Sequence, residues 1–524
     1  MNLNNIQQQK LNQVRHLAQQ RQIPQALSLV KEITQNYPEF APAWYTSAFL
    51  LFQNSHIDEA ISAINTAIKL EPDNIKFRYQ KIMLYEALHR PDIVLPLTQE
   101  LVREPLQNNE MNEKLARILE INEDFNGALK LYQHLTMTHP NKTSWLLKQA
   151  AMLQNLGDIE QAVVMSNKAL EREPNNPDGQ FFRSHLKKQT IKDNHIDILK
   201  QSCSTTQISA QNKAKFYYAL AKELEDCEKY DQSFKARATG AELFRSSFQY
   251  DVQSDIDFMQ QIQIKYTEQF INQKSTNTSD RPIFIVGLPR SGTTLLDRII
   301  TSHSDVKAAG ELKQMNTCVI QGLQKLKIDP QISRTKMVTA STQLDFKLLG
   351  ETYLQTSRAR AAQSPRFTDK FPQNSYYVGM ILKAIPNAKI IIMQRHPIAV
   401  CYAVYKQMFS NDSYPYSYDL QEMALYYNQH NQLLNHWDKV GGTAVKTVYY
   451  EDLVNDLQFQ AKEILDFLKL PWQPQCLDFH KNKQPTATAS ASQVREKLYS
   501  SSIDLWRHYE QQLQPLIKHL DLPE

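Results

Sequence analysis

The chain has 524 residues, 22% of them Asp, Glu, Lys or Arg, and a formal net charge of +4. That length exceeds what one hydrophobic core usually supports, so two or more domains are expected. A charge so small and dispersed gives no general affinity for nucleic acid or a membrane surface, and any basic site has to be local.

The opening stretch "MNLNNIQQQKLNQVRHLAQQ" lacks the apolar core of a secretory signal. No apolar run approaches the roughly 18 residues of a membrane span. Together these predict a cytosolic protein without a membrane span. Cys203, Cys227, Cys318, Cys401 and Cys476 are scattered and never form a CxxC pair, so neither a disulfide framework nor a structural zinc site is expected.

The first third of the chain repeats itself. Ala26, Ala60, Val94, Ala128 and Ala162 are each 34 residues apart, and Pro38, Pro72, Pro105, Pro140 and Pro174 keep nearly the same beat. This is the tetratricopeptide period. The best-formed copy runs from Ala41 to Asn74, with Trp44 as a wedge, Ala48, Ala60 and Ala67 as small crossing residues, and Pro72 as a stop. About five repeats over residues 1–176 are enough for stacked units to bury a continuous core, and such a solenoid would offer a protein or peptide partner an extended surface. Residues 177–275 stay helical but lose phase. "FYYALAKELEDCEKYDQSFKARATGAELF" reads as a degenerate hairpin, with Ala221 and Ser233 at its small positions and Ser233 three residues out of register.

The grammar changes after the polar stretch "NQKSTNTSDRP", which suits a linker. From residue 276 to 524, short apolar runs alternate with helical segments, and "IFIVG", "VKAAG", "RFTDK", "AKIIIMQ" and "VKTVYY" read as strands. The prediction is therefore a multidomain chain, an all-α repeat solenoid followed by an α/β domain with a central parallel sheet and ligands at the carboxyl ends of its strands.

The first of these strands leads into Gly287, "LPRS", Gly292, Thr293 and Thr294, the glycine spacing of a P-loop, whose backbone N–H groups cradle phosphate. Thr293 stands where a nucleotide triphosphatase has lysine, and the strand "KIIIMQ" ends in Arg395 where such an enzyme has the carboxylate that holds magnesium. A cation in that place suits a nucleotide with an additional phosphate and a less charged transferable group, without metal. A P-loop kinase or NTPase is the rival reading, and a repeat scaffold with a decayed transferase domain is another.

"PRSGTTLL", "RHPIAVCYAVYKQMF", "YYEDL", "GELKQM" and the block beginning "FHKNKQPTATASASQVREKLY" together resemble the sulfotransferases dependent on 3′-phosphoadenosine 5′-phosphosulfate (PAPS). The similarity is to the group in which tetratricopeptide repeats precede the transferase domain, related to tyrosylprotein sulfotransferases. The resemblance implies transfer of a sulfuryl group to a hydroxyl or phenol, tyrosine in a docked protein or peptide among them, with the product PAP. It also implies roles. Arg290, Ser291, Gly292, Thr293 and Thr294 would surround the 5′-phosphosulfate, and Arg395 would read the 3′-phosphate. Glu311 would be the general base and Lys370 the charge beside the bridging oxygen, with Arg290 as a third catalytic group. Tyr450, Ser490 and Arg495 would hold the nucleotide. The family usually has serine eight residues after the arginine of the 3′-phosphate segment; here that residue is Ala403, with Tyr402 and Lys406 as candidate replacements.

Overall fold

The 34-residue beat of the sequence becomes a series of helix pairs. The structure, a computed structural model, describes residues 3–522 except 330, 410–412, 483 and 485–500. It divides into two compact units, Met1–Leu131 and Tyr132–Glu524. In the first, Leu3–Gln19 pairs with Ile23–Asn36, Ala41–Gln53 with Ile57–Leu70 and Ile75–Ala87 with Pro91–Leu101. Asn109–Ile121 follows, and Phe125–Thr138 runs through the boundary. The second unit starts in the same manner, with Thr143–Leu156 paired to Ile159–Arg172.

Ala26, Ala60, Val94, Ala128 and Ala162 each fall at the fourth residue of a second helix, and none is more than 2% exposed. A small side chain there lets the paired helices approach closely. Each proline of the series lies just beyond the end of a second helix, where its missing N–H costs nothing. Asn74, Asn108 and Asn176 then cap the amino end of the next helix, as in the Asn74 side-chain oxygen accepting from Lys76 N at 3.1 Å.

The helices Pro177–Leu186, Ile196–Cys203, Ala210–Asp226, Tyr230–Arg245 and Val252–Lys265 continue the second unit. Ser233 is again the fourth residue of its helix, fully buried, with its hydroxyl donating to Ala221 O at 2.6 Å. The slip in phase therefore lies outside the hairpin, where the helices Pro177–Leu186 and Ile196–Cys203 intervene and each packs against Ala210–Asp226.

These helices are fastened to the α/β part by a buried charge cluster around Glu225. Its carboxylate accepts from Tyr402 Oη at 2.8 Å and Tyr509 Oη at 2.9 Å, pairs with Lys406, and lies 3.5 Å from the guanidinium of Arg237, which is 1% exposed. Burial alone would raise the Glu225 carboxyl, but the charges of Lys406 and Arg237 and the hydrogen bonds overcome it and draw it down to about 2. The stretch expected to be a linker is anchored as well. Ser275 N donates to Lys383 O at 2.9 Å, Ser275 Oγ to Ala384 O at 2.8 Å, and Asn387 Nδ2 to Thr278 O at 3.0 Å. Short polar side chains that read as linker composition also make anchored turns.

All five predicted strands form. They are β1 (Pro282–Val286), β2 (Val306–Ala308), β3 (Arg366–Asp369), β4 (Lys389–Gln394) and β5 (Val445–Tyr449), in the order β2-β3-β1-β4-β5 with every pairing parallel. Every residue of β1 is buried, as its unbroken apolar run implies for a strand covered on both faces. The chain leaves β1 toward β2 and leaves β4 toward β5, so the two connections diverge and open a crevice at the carboxyl ends of β1 and β4. No helix among the described residues is long and apolar enough to cross a membrane.

Glu225→Gln leaves Arg237 and Lys406 without a counter-charge in the interior, and should cost about 3–5 kcal/mol in denaturant unfolding of the second unit. A carboxyl held near 2 when folded and at its ordinary value of 4.5 when unfolded stabilises the fold fully above 4.5. That contribution is lost as pH falls through 2, and the variant should lack this part of the acid dependence.

Candidate active site

The turn after β1 is shaped by two glycines. Gly287 has φ +147°, and a Cβ there would collide with the carbonyl oxygen of Met393 on β4. Gly292 has φ +108°, and a Cβ would come 2.6 Å from Tyr450 Cδ2 and 2.7 Å from Met393 Cε. Only a residue without a side chain lets the turn press this closely against the end of β4 and the Tyr450 ring. Between them Arg290 is held at φ +68°, a left-handed conformation that costs a non-glycine residue about 1–3 kcal/mol and concentrates at ligand sites.

Gly292 is the amino cap of the helix Thr293–Thr301, whose first N–H groups face the turn. Ser291, Thr293 and Thr294 are buried there. The Ser291 hydroxyl is 1% exposed by residue and has no hydrogen-bond partner among the described residues. A buried hydroxyl in a concave turn beside a helix amino end fits an anion that would accept from it.

Arg395 follows β4 directly. Its Nη1 donates to Arg290 O at 3.1 Å, and its guanidinium carbon lies 4.6 Å from the centre of the Tyr450 ring. Tyr450, the first residue after β5, is 8% exposed and touches both sides of the crevice. Arg290, Ser291, Gly292, Thr293, Thr294, Arg395 and Tyr450 are thus brought together across β1, β4 and β5. Ser490 and Arg495 lie outside the described residues, as do Lys483 and Lys497. Lys481 is turned to Asp478 at 2.9 Å. Tyr402 and Lys406 point to Glu225, so neither stands in for a hydroxyl at Ala403.

A second group forms where β2 and β3 end. Ala309 N donates to Thr368 O at 3.0 Å and Lys370 N to Gly310 O at 2.8 Å, which extends the parallel ladder past β2 and carries Glu311 to Lys370. Lys370 Nζ and Glu311 Oε1 are 2.6 Å apart, with the lysine side chain 3% exposed and the glutamate 37%. Phe284 of β1 pairs with Asp369, so Lys370 lies one residue past that pairing, on the strand next to the glycine turn.

Several supporting residues, Arg298, Asp297, Thr368 and Tyr353 among them, carry no spacing signal and were not anticipated, whereas Asp369, beside Lys370 in the sequence, was a candidate to orient it. Arg298, 2% exposed, donates to the backbone and side-chain oxygens of Asn482 at 3.2 Å and to Gln484 O. Thr368 Oγ1 donates to Asp297 Oδ1 at 2.6 Å. Asp369 accepts from Tyr353 Oη at 2.8 Å and Leu312 N at 3.2 Å, which fixes the segment following Glu311. Burial pushes the Asp369 carboxyl up to about 7 even though those hydrogen bonds and Arg360 pull it down.

Residues 282–474 match the model of the sulfotransferase family, and residues 41–74 and 146–176 match that of the tetratricopeptide repeat. The segment 282–474 belongs to the sulfotransferase family, in a chain that also carries tetratricopeptide repeats. An Aquifex aeolicus protein is 30% identical over 379 residues, which is 70% of this chain and 49% of that protein, so the chain spans about half the length of that relative. The protein-tyrosine sulfotransferase of Drosophila melanogaster is 24% identical over 190 residues, 36% of this chain and 38% of its own. The sulfotransferase domain of the Synechococcus PCC 7002 olefin synthase is 20% identical with a TM-score of 0.34, covering 48% of this chain and 98% of that domain.

The folded carboxyl of Asp369 titrates near 7 against an ordinary value of 3.8, so the folded state binds the extra proton between those values. Stability of the second unit should fall as pH rises from 3.8 to about 7. Denaturant midpoints across that range should be flatter for Asp369→Asn.

Proposed function

We propose that the chain is a PAPS-dependent sulfotransferase acting on a hydroxyl or phenol, tyrosine in a docked protein or peptide included. The single observation that carries the reading is the Arg395 guanidinium seated at the end of β4 against Arg290 O and Tyr450, in the place a magnesium carboxylate would otherwise take. When bound, PAPS would supply the sulfuryl group. The residues present fit it: the Ser291 hydroxyl has no partner among the described residues, Gly292 caps the helix Thr293–Thr301 whose first N–H groups suit an anion, and Arg395 carries the planar fork that pairs with phosphate.

Each residue then has a defined task. Arg290, Ser291, Gly292, Thr293 and Thr294 hold the 5′ end, Arg395 and Tyr450 the 3′-phosphate and its side of the nucleotide, and Ser490 and Arg495 are assigned to the nucleotide as well. Glu311 takes the proton of the acceptor hydroxyl as the oxygen–sulfur bond forms, and Lys370 and Arg290 neutralise the charge left on the departing phosphate oxygen. The Glu311–Lys370 ion pair holds the two side chains together at 2.6 Å before substrate arrives. The repeats, residues 1–176, would present a protein partner or substrate; residues 177–275 form the helical extension and 276–524 the transferase domain. A cytosolic location is part of the same proposal.

Calorimetry with PAP, against ATP and magnesium, separates this reading from a kinase. PAP should bind and Mg·ATP should not; the reverse would end the proposal. Arg395→Ala should weaken PAP about 10- to 100-fold while leaving adenosine 5′-phosphate nearly unchanged, the loss expected for charge-assisted hydrogen bonds. Glu311→Ala should lower transfer of labelled sulfate about 10²- to 10⁴-fold with PAP affinity retained.

A further inference from the structure

The helix that follows Arg395 is held from parts of the chain outside the segment 282–474. Arg395 and His396 lead directly into Pro397–Tyr405, a nine-residue rod. Its amino end is bonded within the α/β part, where Arg395 Nη1 donates to Arg290 O at 3.1 Å and His396 N to Glu451 Oε1 at 3.0 Å. Its carboxyl end is bonded to the helical extension. Tyr402 Oη donates to Glu225 at 2.8 Å and accepts from Arg237 Nη1 at 3.3 Å, and Lys406, the residue after the rod, pairs with Glu225. Glu225 belongs to the helix Ala210–Asp226 and Arg237 to Tyr230–Arg245.

The short helix Leu505–Tyr509 grips the same rod at both ends. Trp506 stacks on the His396 ring, with centroids 5.3 Å apart and planes at 13°. Tyr509 Oη donates to Glu225 at 2.9 Å, and its ring centre lies 4.7 Å from that of Tyr402. The extension steadies this grip as well, because His508 stacks on Tyr230 with centroids 4.2 Å apart and planes at 9°. Glu225 therefore takes donors from two segments that both reach back to His396, beside Arg395.

A buried carboxylate shared by two cations and two phenols fixes the geometry of all four, since any other arrangement leaves a charge without a partner. Burial lowers the Lys406 ammonium, Glu225 pulls it back up, and repulsion by Arg237 and Arg290 adds to the lowering. The cluster is thus within electrostatic reach of the glycine turn. Opening it would free the carboxyl end of the rod, and a tilt there displaces the guanidinium at the other end, whose planar fork has to meet phosphate oxygens in line.

We infer, on the basis of the sulfotransferase reading, that Glu225 is a positioning residue for 3′-phosphate recognition, acting through the helix Pro397–Tyr405. The helical extension is thereby a working part of the nucleotide site, although Glu225 itself touches no nucleotide. Its contribution is separable from general stability, because only the increment in affinity due to the 3′-phosphate depends on where Arg395 stands.

The test compares PAP with adenosine 5′-phosphate by calorimetry on the full chain and on Glu225→Gln, Tyr402→Phe and Glu223→Gln, with circular dichroism as the check on folding. Tyr402→Phe keeps the ring and removes one hydroxyl, so it carries the test if Glu225→Gln does not fold. Glu223 lies on the same helix and is fully buried, but it accepts from Ser184 Oγ at 2.7 Å and from His195 N at 2.5 Å, both within the extension, so its variant loosens the extension without freeing the rod. Glu225→Gln should weaken PAP about 3- to 30-fold with adenosine 5′-phosphate nearly unchanged, Tyr402→Phe should act in the same direction, and Glu223→Gln should leave the ratio of the two affinities as it is. In an Arg395→Ala background Glu225→Gln should change PAP affinity less than about twofold, because the group it positions is gone. A ratio unmoved in the folded variants of Glu225 and Tyr402, an equal fall in Glu223→Gln, or full additivity with Arg395→Ala would overturn the inference. Those results in a chain that binds PAP leave the sulfotransferase reading standing; if the natural chain does not bind PAP, that reading falls first.

Discussion

The close approach of the Gly287–Gly292 turn to the end of β4 is the constraint on which the rest of the site depends. Side chains at either glycine would strike Met393 or Tyr450, and the turn would be driven off the sheet edge. Because it stays down, Arg290 presents its carbonyl to Arg395, and the Tyr450 ring lies against the same guanidinium. One arginine thereby ties together the ends of three segments that are far apart in sequence. The strain at Arg290 is tolerated because this packing fixes the turn.

The site has two halves with different physics. At β1, β4 and β5 the groups are backbone N–H donors, hydroxyls and a guanidinium, all suited to fixed anionic oxygens. At β2 and β3 there is one ion pair, Glu311 with Lys370, backed by Asp369, Tyr353, Asp297 and Thr368. An isolated ammonium as buried as Lys370 would be costly, and Glu311 compensates it while remaining more exposed itself. A carboxyl group that is partly open and held beside an ammonium is placed to take a proton from an incoming hydroxyl. The helical extension contributes to neither half directly, yet Glu225 pins the end of the helix that follows Arg395.

Much of this was legible in the sequence because it depends on local pattern. The fixed alanine period marks buried helix crossings, the apolar runs mark strands covered on both faces, and the glycine spacing marks a turn that needs positive φ. Glu311 and Lys370 could each be named as candidates, but their ion pair arises from the parallel ladder between β2 and β3, which no spacing reveals. The anchoring of "NQKSTNTSDRP" was hidden because serine and asparagine mark free linkers and bonded turns alike. Tyr402 and Lys406 looked available beside Ala403, yet their partner Glu225 lies some 180 residues earlier in the chain. Long-range charge pairing of that kind leaves no trace in periodicity.

The measurement that bears most directly on the claim is a crystal structure with PAP bound. The 5′-phosphate should rest in the Gly287–Gly292 turn within hydrogen-bond distance of Ser291 Oγ, and the 3′-phosphate should face the Arg395 guanidinium. Density for the nucleotide anywhere else, or a 3′-phosphate directed away from Arg395, would contradict it.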